Sequence, residues 1–242
     1  NRTWCFWEKD EDGPFESIVN RRWKHVDFYG PNNYTTTLPF APYTYKWIKG
    51  LDFYRFVQAD LLQNPSIAFL NASIERIKDT PDGGFVITDE GQYIADYVFD
   101  STTPLKMNLS NRHNMLQHFK GWIIKSPKPV FDPQRPIMMD YRVPQKGIGV
   151  RFGYVLPLDA YSALVEYTLF SDKLLQPKEY EEALKDYLHH TLSITDYSIE
   201  EEEFGVIPMT DELPLAPSLH GHIIRIGTSG GYVKASSGYA FA

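Results

Sequence analysis

The stretch GYVLPLDAYSALVEYTLFS, residues 153–171, predicts two strands of a buried sheet that are joined by a short turn. Alternation along the second strand gives two faces, one with Leu164, Glu166, Thr168 and Phe170 and the other with Val165, Tyr167 and Leu169. Because both faces are mainly apolar, we expect the strand to be covered on both sides. Glu166 is then a carboxylate in surroundings that exclude water.

Further strands flank this stretch in the sequence. The strand-like segments are GWIIKS (121–126), PIMMDYRV (136–143) and SIEEEEFGVIPMTD (198–211). Two amphipathic patterns predict helices, one over 52–64 with Asp52 as its N-cap and one over 178–192. The consecutive strands between 117 and 171 predict a mainly antiparallel sheet beside a nucleotide-type α/β layer, so the predicted fold class is mixed α/β.

Shorter β signals lie between the first helix and this sheet, and near the end of the chain. Residues 67–70 and 72–78 are strand-like, and 93–102 predicts one buried strand that ends in polar residues. The segment HIIRIGTSGGYVKASSG, residues 222–238, predicts a strand that runs into a glycine-rich turn.

Composition excludes several classes of function. The 242 residues are 43% hydrophobic and 15% aromatic and carry a net charge of −7, with no block of Lys or Arg. This balance argues against nucleic acid as a partner. No run of about 18 apolar residues is present that would span a bilayer. The single Cys5 rules out an internal disulfide framework, and a reducing, cytoplasmic setting is expected.

Glu166 is the first candidate for a catalytic group. A carboxyl group that loses its hydration has a raised pKa, which suits a general acid near neutral pH. The alternative is an edge-strand Glu that pairs with Arg142 or Arg151, and composition alone favours that alternative.

Asp140 and Glu203 are the other acidic candidates. Asp140 follows the apolar residues of 137–139, and the alternative is a strand end that turns it to solvent. Residues 200–203 are four consecutive Glu, and such a run is usually a solvated face. Glu203, next to FGVIPM, is the member expected to point inward. No metal site is expected, and Cys5, with no His near it in the sequence, is interpreted as a packing residue.

The glycine-rich turn is the strongest backbone signal. Gly227, Gly230 and Gly231 follow the strand HIIRI, and glycines at such a position let the backbone approach a phosphate. A tight structural turn is an equally good interpretation. The full GxGxxG dinucleotide fingerprint does not occur in the chain.

Six motifs together resemble the bacterial flavoprotein-type lycopene β-cyclases, in the right order and spacing. They are QHFKGWII, PIMMDYRV, FGYVLPL, ALVEYT, EEFGVIPMTD and IGTSGGYVKASSGY. The resemblance covers nearly the whole chain and lacks the N-terminal GxGxxG unit, so we expect a fragment of a longer flavoprotein. Residues 1–110 and 216–242 would be the remainder of the FAD-binding layer, and 111–215 the substrate-binding sheet with its helix.

The resemblance implies a chemistry and a set of partners. The family uses reduced FAD, with NAD(P)H as reductant, to close the ψ-ends of lycopene into β-ionone rings without net redox change. Glu166 stands at the position of the catalytic acid, and Tyr167 stands where many relatives carry a second acid. The resemblance places Gly227, Gly230 and Gly231 near the FAD pyrophosphate and Gly238 near the isoalloxazine. It also implies a cytoplasmic protein in transient contact with a membrane surface.

Three interpretations remain open from the sequence. A lycopene cyclase would be catalytic without net redox, whereas a geranylgeranyl reductase or aromatic hydroxylase of related fold would consume NAD(P)H in step with product. A carotenoid-binding protein would hold pigment without converting it. Because the pyrophosphate cradle of such proteins lies largely in the N-terminal unit, the 242-residue chain alone is expected to bind FAD poorly and to be inactive.

Overall fold

The computed structural model describes residues 3–9, 12–102, 113–147, 149–211 and 219–238. The chain forms two compact units. The first comprises residues 1–63 and 116–206, and the second comprises 64–115 and 207–242. These limits differ from the predicted division at 110 and 215, because strands from the first 63 residues join the sheet that we predicted from later residues alone.

The described residues form two helices and fifteen strands. The helices are α1 (Gly50–Leu61) and α2 (Pro177–Asp186). The strands are β1 (Thr3–Glu8), β2 (Arg21–Trp23), β3 (His25–Tyr29), β4 (Thr35–Pro39), β5 (Thr44–Lys49), β6 (Ile74–Thr80), β7 (Gly83–Thr88), β8 (Gly91–Ala95), β9 (Val98–Asp100), β10 (Asn114–Lys125), β11 (Ile137–Asp140), β12 (Val150–Pro157), β13 (Ser162–Ser171), β14 (Ser198–Thr210) and β15 (Ile223–Arg225).

A seven-stranded sheet dominates the first unit. Its strand order is β14-β10-β13-β12-β11-β3-β4, and the β10–β13, β13–β12, β12–β11 and β3–β4 pairs are antiparallel. The predicted mixed α/β fold with a mainly antiparallel sheet is therefore confirmed.

One pair in this sheet is parallel, and the sequence patterns did not indicate it. β11 runs parallel to β3, with Ile137 beside Asp27. Asp27 is buried and accepts hydrogen bonds from Arg135 Nε and Nη2, each at 2.9 Å. This bidentate ion pair lowers the pKa of Asp27 against the effect of burial and holds the N-terminal hairpin to the sheet.

Both faces of β13 are covered, as its apolar alternation predicted. On one face, Val165 and Tyr167 pack against Tyr180 and Leu184 of α2. On the other face, Leu164 packs in a cluster with aromatic residues of a three-stranded sheet, whose order is β1-β5-β2. Full burial of a large apolar side chain contributes about 1.5–3 kcal/mol, so this central strand is held from two sides.

The two predicted helices exist, with shifted limits. α1 begins at Gly50 with Lys49 as its N-cap, so Asp52 lies in the first turn and is not the cap. α2 begins with Pro177 at its first position, where the missing N–H costs nothing, and the Glu179 carboxylate accepts a hydrogen bond from the Gln176 N–H at 2.7 Å. Residues 187–191 continue α2 as a π-helical turn.

The second unit contains the short β elements. β6, β7 and β8 form an antiparallel meander, and β9 pairs in parallel with β15. The predicted single buried strand over 93–102 is wrong, because the chain bends between β8 and β9, β8 is largely exposed, and within β9 only Asp100 is buried. Residues 67–70 are also not a strand. In the described part of the chain, neither helix has the length and apolar composition needed to cross a bilayer.

A buried polar relay fixes α2 to the sheet. His118 on β10 is fully buried, and its two ring nitrogens contact the Tyr180 hydroxyl at 2.6 Å and Ser171 Oγ at 2.7 Å. Ser171 Oγ donates to the carbonyl of Lys173, so His118 Nε2 carries the proton and donates to Ser171, while Nδ1 accepts from Tyr180. Burial lowers the pKa of His118 because removal from water disfavours the charged ring, and the positive charge of Arg151 lowers it further.

This relay predicts acid sensitivity. The pKa of His118 in the folded chain lies below its ordinary value of 6.5, so the unfolded chain binds the proton first. The free energy of unfolding should be undiminished above pH 6.5 and should fall as the pH drops from there toward the lower folded value. Urea unfolding of the wild type and of His118→Gln, at about pH 7.5 and about pH 5.5, measures this. The variant should lose less stability between the two pH values, and equal losses would contradict the assignment.

Candidate active site

Glu166 lies in the middle of β13, on the sheet face that packs against β1 and β5. Its backbone pairs with Gly121 of β10 on one side and with Tyr154 of β12 on the other. The side chain is partly buried. Neither Arg142 nor Arg151 neutralises it: Arg142 binds Asp140, and the charge that acts on Glu166 is that of Glu203.

Gly121 allows two carboxyl groups to meet across a strand. Glu203 lies on β14, and β10 separates β14 from β13. Neighbouring strands are about 4.8 Å apart, so the two outer strands are about 9.6 Å apart. A Cβ placed at Gly121 would lie 2.9 Å from Glu166 Cγ and 3.1 Å from Glu203 Cγ. The space that a side chain would fill on the middle strand is therefore occupied by the two glutamates.

The two carboxyl groups lie close enough to affect each other's protonation. Burial raises the pKa of Glu166 well above its ordinary range, and the hydrogen bond to Glu203 and the negative charge of Glu203 raise it further. Glu203 Oε2 accepts hydrogen bonds from the Thr3 N–H at 3.0 Å and the Thr3 hydroxyl at 2.9 Å. Its Oε1 is buried without a donor among the described residues. A proton on Glu166 would supply that donor, and the raised pKa of Glu166 favours the protonated form of that group.

Cys5 lies beside this pair and acts as a packing residue. It is partly buried on β1 and contacts the cluster around Trp47 and Leu164. Burial raises the pKa of its thiol strongly; the Tyr45 hydrogen bond opposes that shift, and the charges of Glu166 and Glu203 add to it. A thiol held in its neutral form is a poor nucleophile, which agrees with the interpretation from sequence.

Aromatic rings continue the apolar face away from Glu166. Phe152 on β12 lies 5.3 Å from the ring of Tyr154 and 5.1 Å from the ring of Phe170, all measured between ring centroids. Alternation puts these residues on the same face of the sheet as Glu166. Tyr167 lies on the opposite face, against α2, and does not belong to this aromatic surface.

Asp140 is not a free acid and is not turned to solvent. It is fully buried and accepts hydrogen bonds from Arg142 Nε at 2.8 Å, Arg142 Nη2 at 2.5 Å and the Tyr187 hydroxyl at 2.7 Å. Arg142 in turn lies 3.7 Å from the centroid of the Tyr29 ring. This saturated ion pair ties β11 to the π-helical turn that continues α2, which is a structural role.

The predicted glycine turn follows β15, in the second unit. Gly227, with φ 61°, starts a short 3₁₀ turn, and no atom lies within 4 Å of the place where its Cβ would be. Gly231 and Gly238 also have positive φ, and a Cβ at Gly230 would lie 2.6 Å from the Arg225 carbonyl oxygen. The structure brings Gly227, Gly230 and Gly231 into one turn with open space beside it. Arg225 Nη1 is buried without a partner among the described residues.

Sequence reasoning missed Gly121 and Thr3. The available signal for Gly121 was a glycine inside a strand-like run, which often marks a close approach of other groups. Thr3 gave no signal, because its contact with Glu203 joins residues 200 positions apart. Among the residues with described structure, no cluster of His, Cys, Asp and Glu would hold a metal ion.

The contact between the two carboxyl groups predicts how a methyl group added at Gly121 changes the pKa of Glu166. Gly121→Ala should push Glu166 and Glu203 apart, so the pKa of Glu166 should fall toward its ordinary range while burial keeps it somewhat raised. Infrared titration of the protonated carboxyl C=O band measures this. Glu203→Gln should cause a similar fall, and the double variant should add little to either single change. An unchanged titration in Gly121→Ala would contradict the contact.

Structural comparison shows a flavoprotein fold. A geranylgeranyl bacteriochlorophyll reductase-like protein from Thermoplasma acidophilum superimposes with a TM-score of 0.67 at 11% identity, covering 93% of this chain and 59% of the other. HpxO of Klebsiella pneumoniae, solved with FAD and uric acid, gives 0.56 at 10% identity, with 89% and 59% covered. CtdE, solved with FAD and a substrate, gives 0.61 at 12% identity, with 98% and 66% covered. The chain thus spans about three fifths to two thirds of the length of these proteins.

Sequence comparison identifies the family. No curated protein sequence matches the chain significantly. The family model described as lycopene cyclase protein matches residues 1–242, which is the whole of the sequence. The chain therefore belongs to the lycopene cyclase family.

Proposed function

We propose that the complete protein is a lycopene β-cyclase, which closes the ψ-ends of lycopene into β-ionone rings without net redox change. The observation that carries this proposal is the contact of Glu166 with Glu203, which together with burial raises the pKa of Glu166, on a sheet face lined by aromatic and aliphatic side chains. A hydrocarbon substrate offers no polar group to bind, so its site must be apolar and its proton donor must remain protonated there.

Glu166 would act as the general acid. Its proton goes to the terminal alkene of the ψ-end, the resulting cation is attacked by the neighbouring double bond, and loss of a proton from the new ring gives the β-ionone. One proton enters and one leaves, so the product is an isomer of the substrate. Before the transfer, Glu203 raises the pKa of Glu166 and so keeps the transferable proton on that group. As the transfer proceeds, this proton leaves Glu166 for the alkene. Phe152, Tyr154 and Phe170 offer π faces to the cation.

We also propose that the protein uses FAD, with NAD(P)H as the reductant. The open space beside Gly227 and the unpartnered Arg225 Nη1 suit a diphosphate group, with the turn over Gly227–Gly230 and Gly231 as its backbone cradle and Gly238 nearby in the chain. Residues 64–115 and 207–242 would be the part of the FAD-binding layer that this chain supplies. When bound, reduced FAD would supply negative charge that stabilises the cationic substrate.

Lycopene dissolves in membranes and not in water. We therefore propose that a cytoplasmic protein takes it up during transient contact with a membrane surface. Because water does not dissolve such a hydrocarbon, the membrane is its only abundant source for the enzyme.

A redox enzyme is the second candidate, because the Thermoplasma acidophilum structure is described as geranylgeranyl bacteriochlorophyll reductase-like. Such an enzyme would consume NAD(P)H in proportion to product. A cyclase needs reduction of FAD only once for many turnovers. The ratio of NAD(P)H consumed to product formed therefore separates the two.

Replacement of Glu166 tests the proposal directly. In the complete protein, Glu166→Gln should fold, because Gln is nearly isosteric and can still hydrogen-bond to Glu203. It has no acidic proton, so cyclisation should fall by about 10²–10⁴-fold at every pH while FAD stays bound. Pigment analysis of lycopene-producing cells measures this. Normal accumulation of β-carotene would show that Glu166 is not the acid.

Glu203→Gln should give a different signature. Without the second charge, the pKa of Glu166 falls, so the rate at neutral pH should decrease and the descending limb of the pH–rate profile should move to lower pH. Glu200→Gln is a matched control, since Glu200 is exposed on the same strand. A profile of Glu203→Gln that coincides with that of Glu200→Gln would contradict the pairing.

A further inference from the structure

A small cavity lies beside the carboxyl pair, in the first unit. Glu203 and Leu164 line its inner side, and Trp47 and Thr3 contribute to its wall. Its volume is about 20 Å³. A cavity of about 10–15 Å³ or more, measured in this way, accommodates one water molecule when polar groups line it.

Two polar groups on the wall have unmet hydrogen-bonding capacity. Trp47 is 3% exposed, and its indole Nε1–H has no acceptor among the residues that the structure describes. Glu203 is a carboxylate with further lone pairs beyond its contacts with Thr3. A water molecule can accept from Trp47 Nε1 and donate to Glu203. A buried N–H left without any partner costs about 1–3 kcal/mol, so this position favours a bound water.

The outer side of the cavity reaches solvent at Glu201. Glu201 lines the cavity, and its side chain is 37% exposed. Alternation on β14 puts Glu201 and Glu203 on the same face of the strand, about 7 Å apart along it. Two hydrogen bonds through one water molecule span about 5.6 Å, and the flexible side chains of two Glu residues on one face can reach across the remainder. Lys49 Nζ lies 3.2 Å from Glu201 Oε1, at the rim of the cavity.

If the proposed function holds, each catalytic cycle must return a proton to Glu166, and the cavity is a path by which that proton can enter. Each ring closure takes one proton from Glu166 and releases one from the new ring. The carboxyl and thiol groups that act electrostatically on one another at this position are Glu166, Glu203 and Cys5, and burial holds the Cys5 thiol in its neutral form. The pair must therefore recover its proton through Glu203 before the next ring is closed.

We propose that this cavity is the proton entry of the active site: one water molecule, held between Trp47 Nε1 and Glu203, passes protons from Glu201 at the surface to the Glu203–Glu166 pair. No group is oxidised or reduced. A proton leaves bulk water for the Glu201 carboxylate, moves through the water molecule to Glu203, and reaches Glu166 across their shared hydrogen bond.

Exchange of the pair's own proton tests the route without any turnover. After rapid mixing of the FAD-loaded complete protein with D₂O, the C=O band of protonated Glu166 shifts at the rate at which the proton exchanges; Glu166→Gln identifies the band. Trp47→Phe removes the N–H and keeps an aromatic ring, and Glu201→Gln removes the outer titrating group. Each should slow the exchange by about tenfold or more, while Glu200→Gln should leave it unchanged.

The pH midpoint of the band separates this role from a structural one. Neither Trp47→Phe nor Glu201→Gln should move that midpoint, since the pair itself stays intact. Exchange at the wild-type rate in Glu201→Gln, whose side chain is partly exposed and tolerant of change, would overturn the route even if Trp47→Phe failed to fold. Slow exchange in a protein that makes no cyclised product would support the route and refute the cyclase. If the complete protein makes cyclised product and the Trp47→Phe and Glu201→Gln variants exchange the proton at the wild-type rate, the cyclase is supported and the route is refuted.

Discussion

Carboxyl groups on two strands that are not neighbours can share a proton only where the strand between them lacks a side chain. Gly121 meets this condition between Glu166 and Glu203, and much of the first unit is arranged around it. The β1-β5-β2 sheet covers the pair and removes water, and Thr3 holds the outer carboxylate in place with two hydrogen bonds. Burial is the main cause of the raised pKa of Glu166, and repulsion from Glu203, which would be weak in water, adds to it in such surroundings.

The two faces of the seven-stranded sheet treat polar groups in opposite ways. On the α2 side, Asp140 is saturated by Arg142 and Tyr187, and His118 is matched by two hydroxyl groups. On the other side, a carboxyl group faces a second carboxyl group with no cation between them. A polar network whose hydrogen bonds are all satisfied makes a fold rigid. A buried acid without a cationic partner has a perturbed pKa, which is typical of groups that transfer protons. The contrast distinguishes the two faces of the sheet by how their buried polar groups are paired.

Alternation along a single strand was enough to predict that Glu166 is enclosed, and the consecutive strands between 117 and 171 were enough to predict a mainly antiparallel sheet. It was not enough to find the partner of Glu166, because β10, β13 and β14 come from separate parts of the chain. The family resemblance suggested a second acid next to Glu166 in sequence, where Tyr167 stands. The second acid is instead Glu203, 37 residues further along, and only the strand order reveals it. Asp140 was misjudged for a related reason, since Tyr187, which encloses it together with Arg142, lies on a distant segment.

The parallel pairing of β3 with β11 has a consequence for folding during synthesis on the ribosome. Asp27 and its partner Arg135 are separated by 108 residues. At a translation rate of about 5–20 residues per second, the β3–β4 hairpin waits about 5–22 s for the strand that it joins. Throughout that interval the edge of β3 offers unpaired N–H and C=O groups beside apolar side chains, which is a template for pairing with another chain. Slow decoding just after residue 40 would lengthen this exposure, and rapid decoding would shorten it.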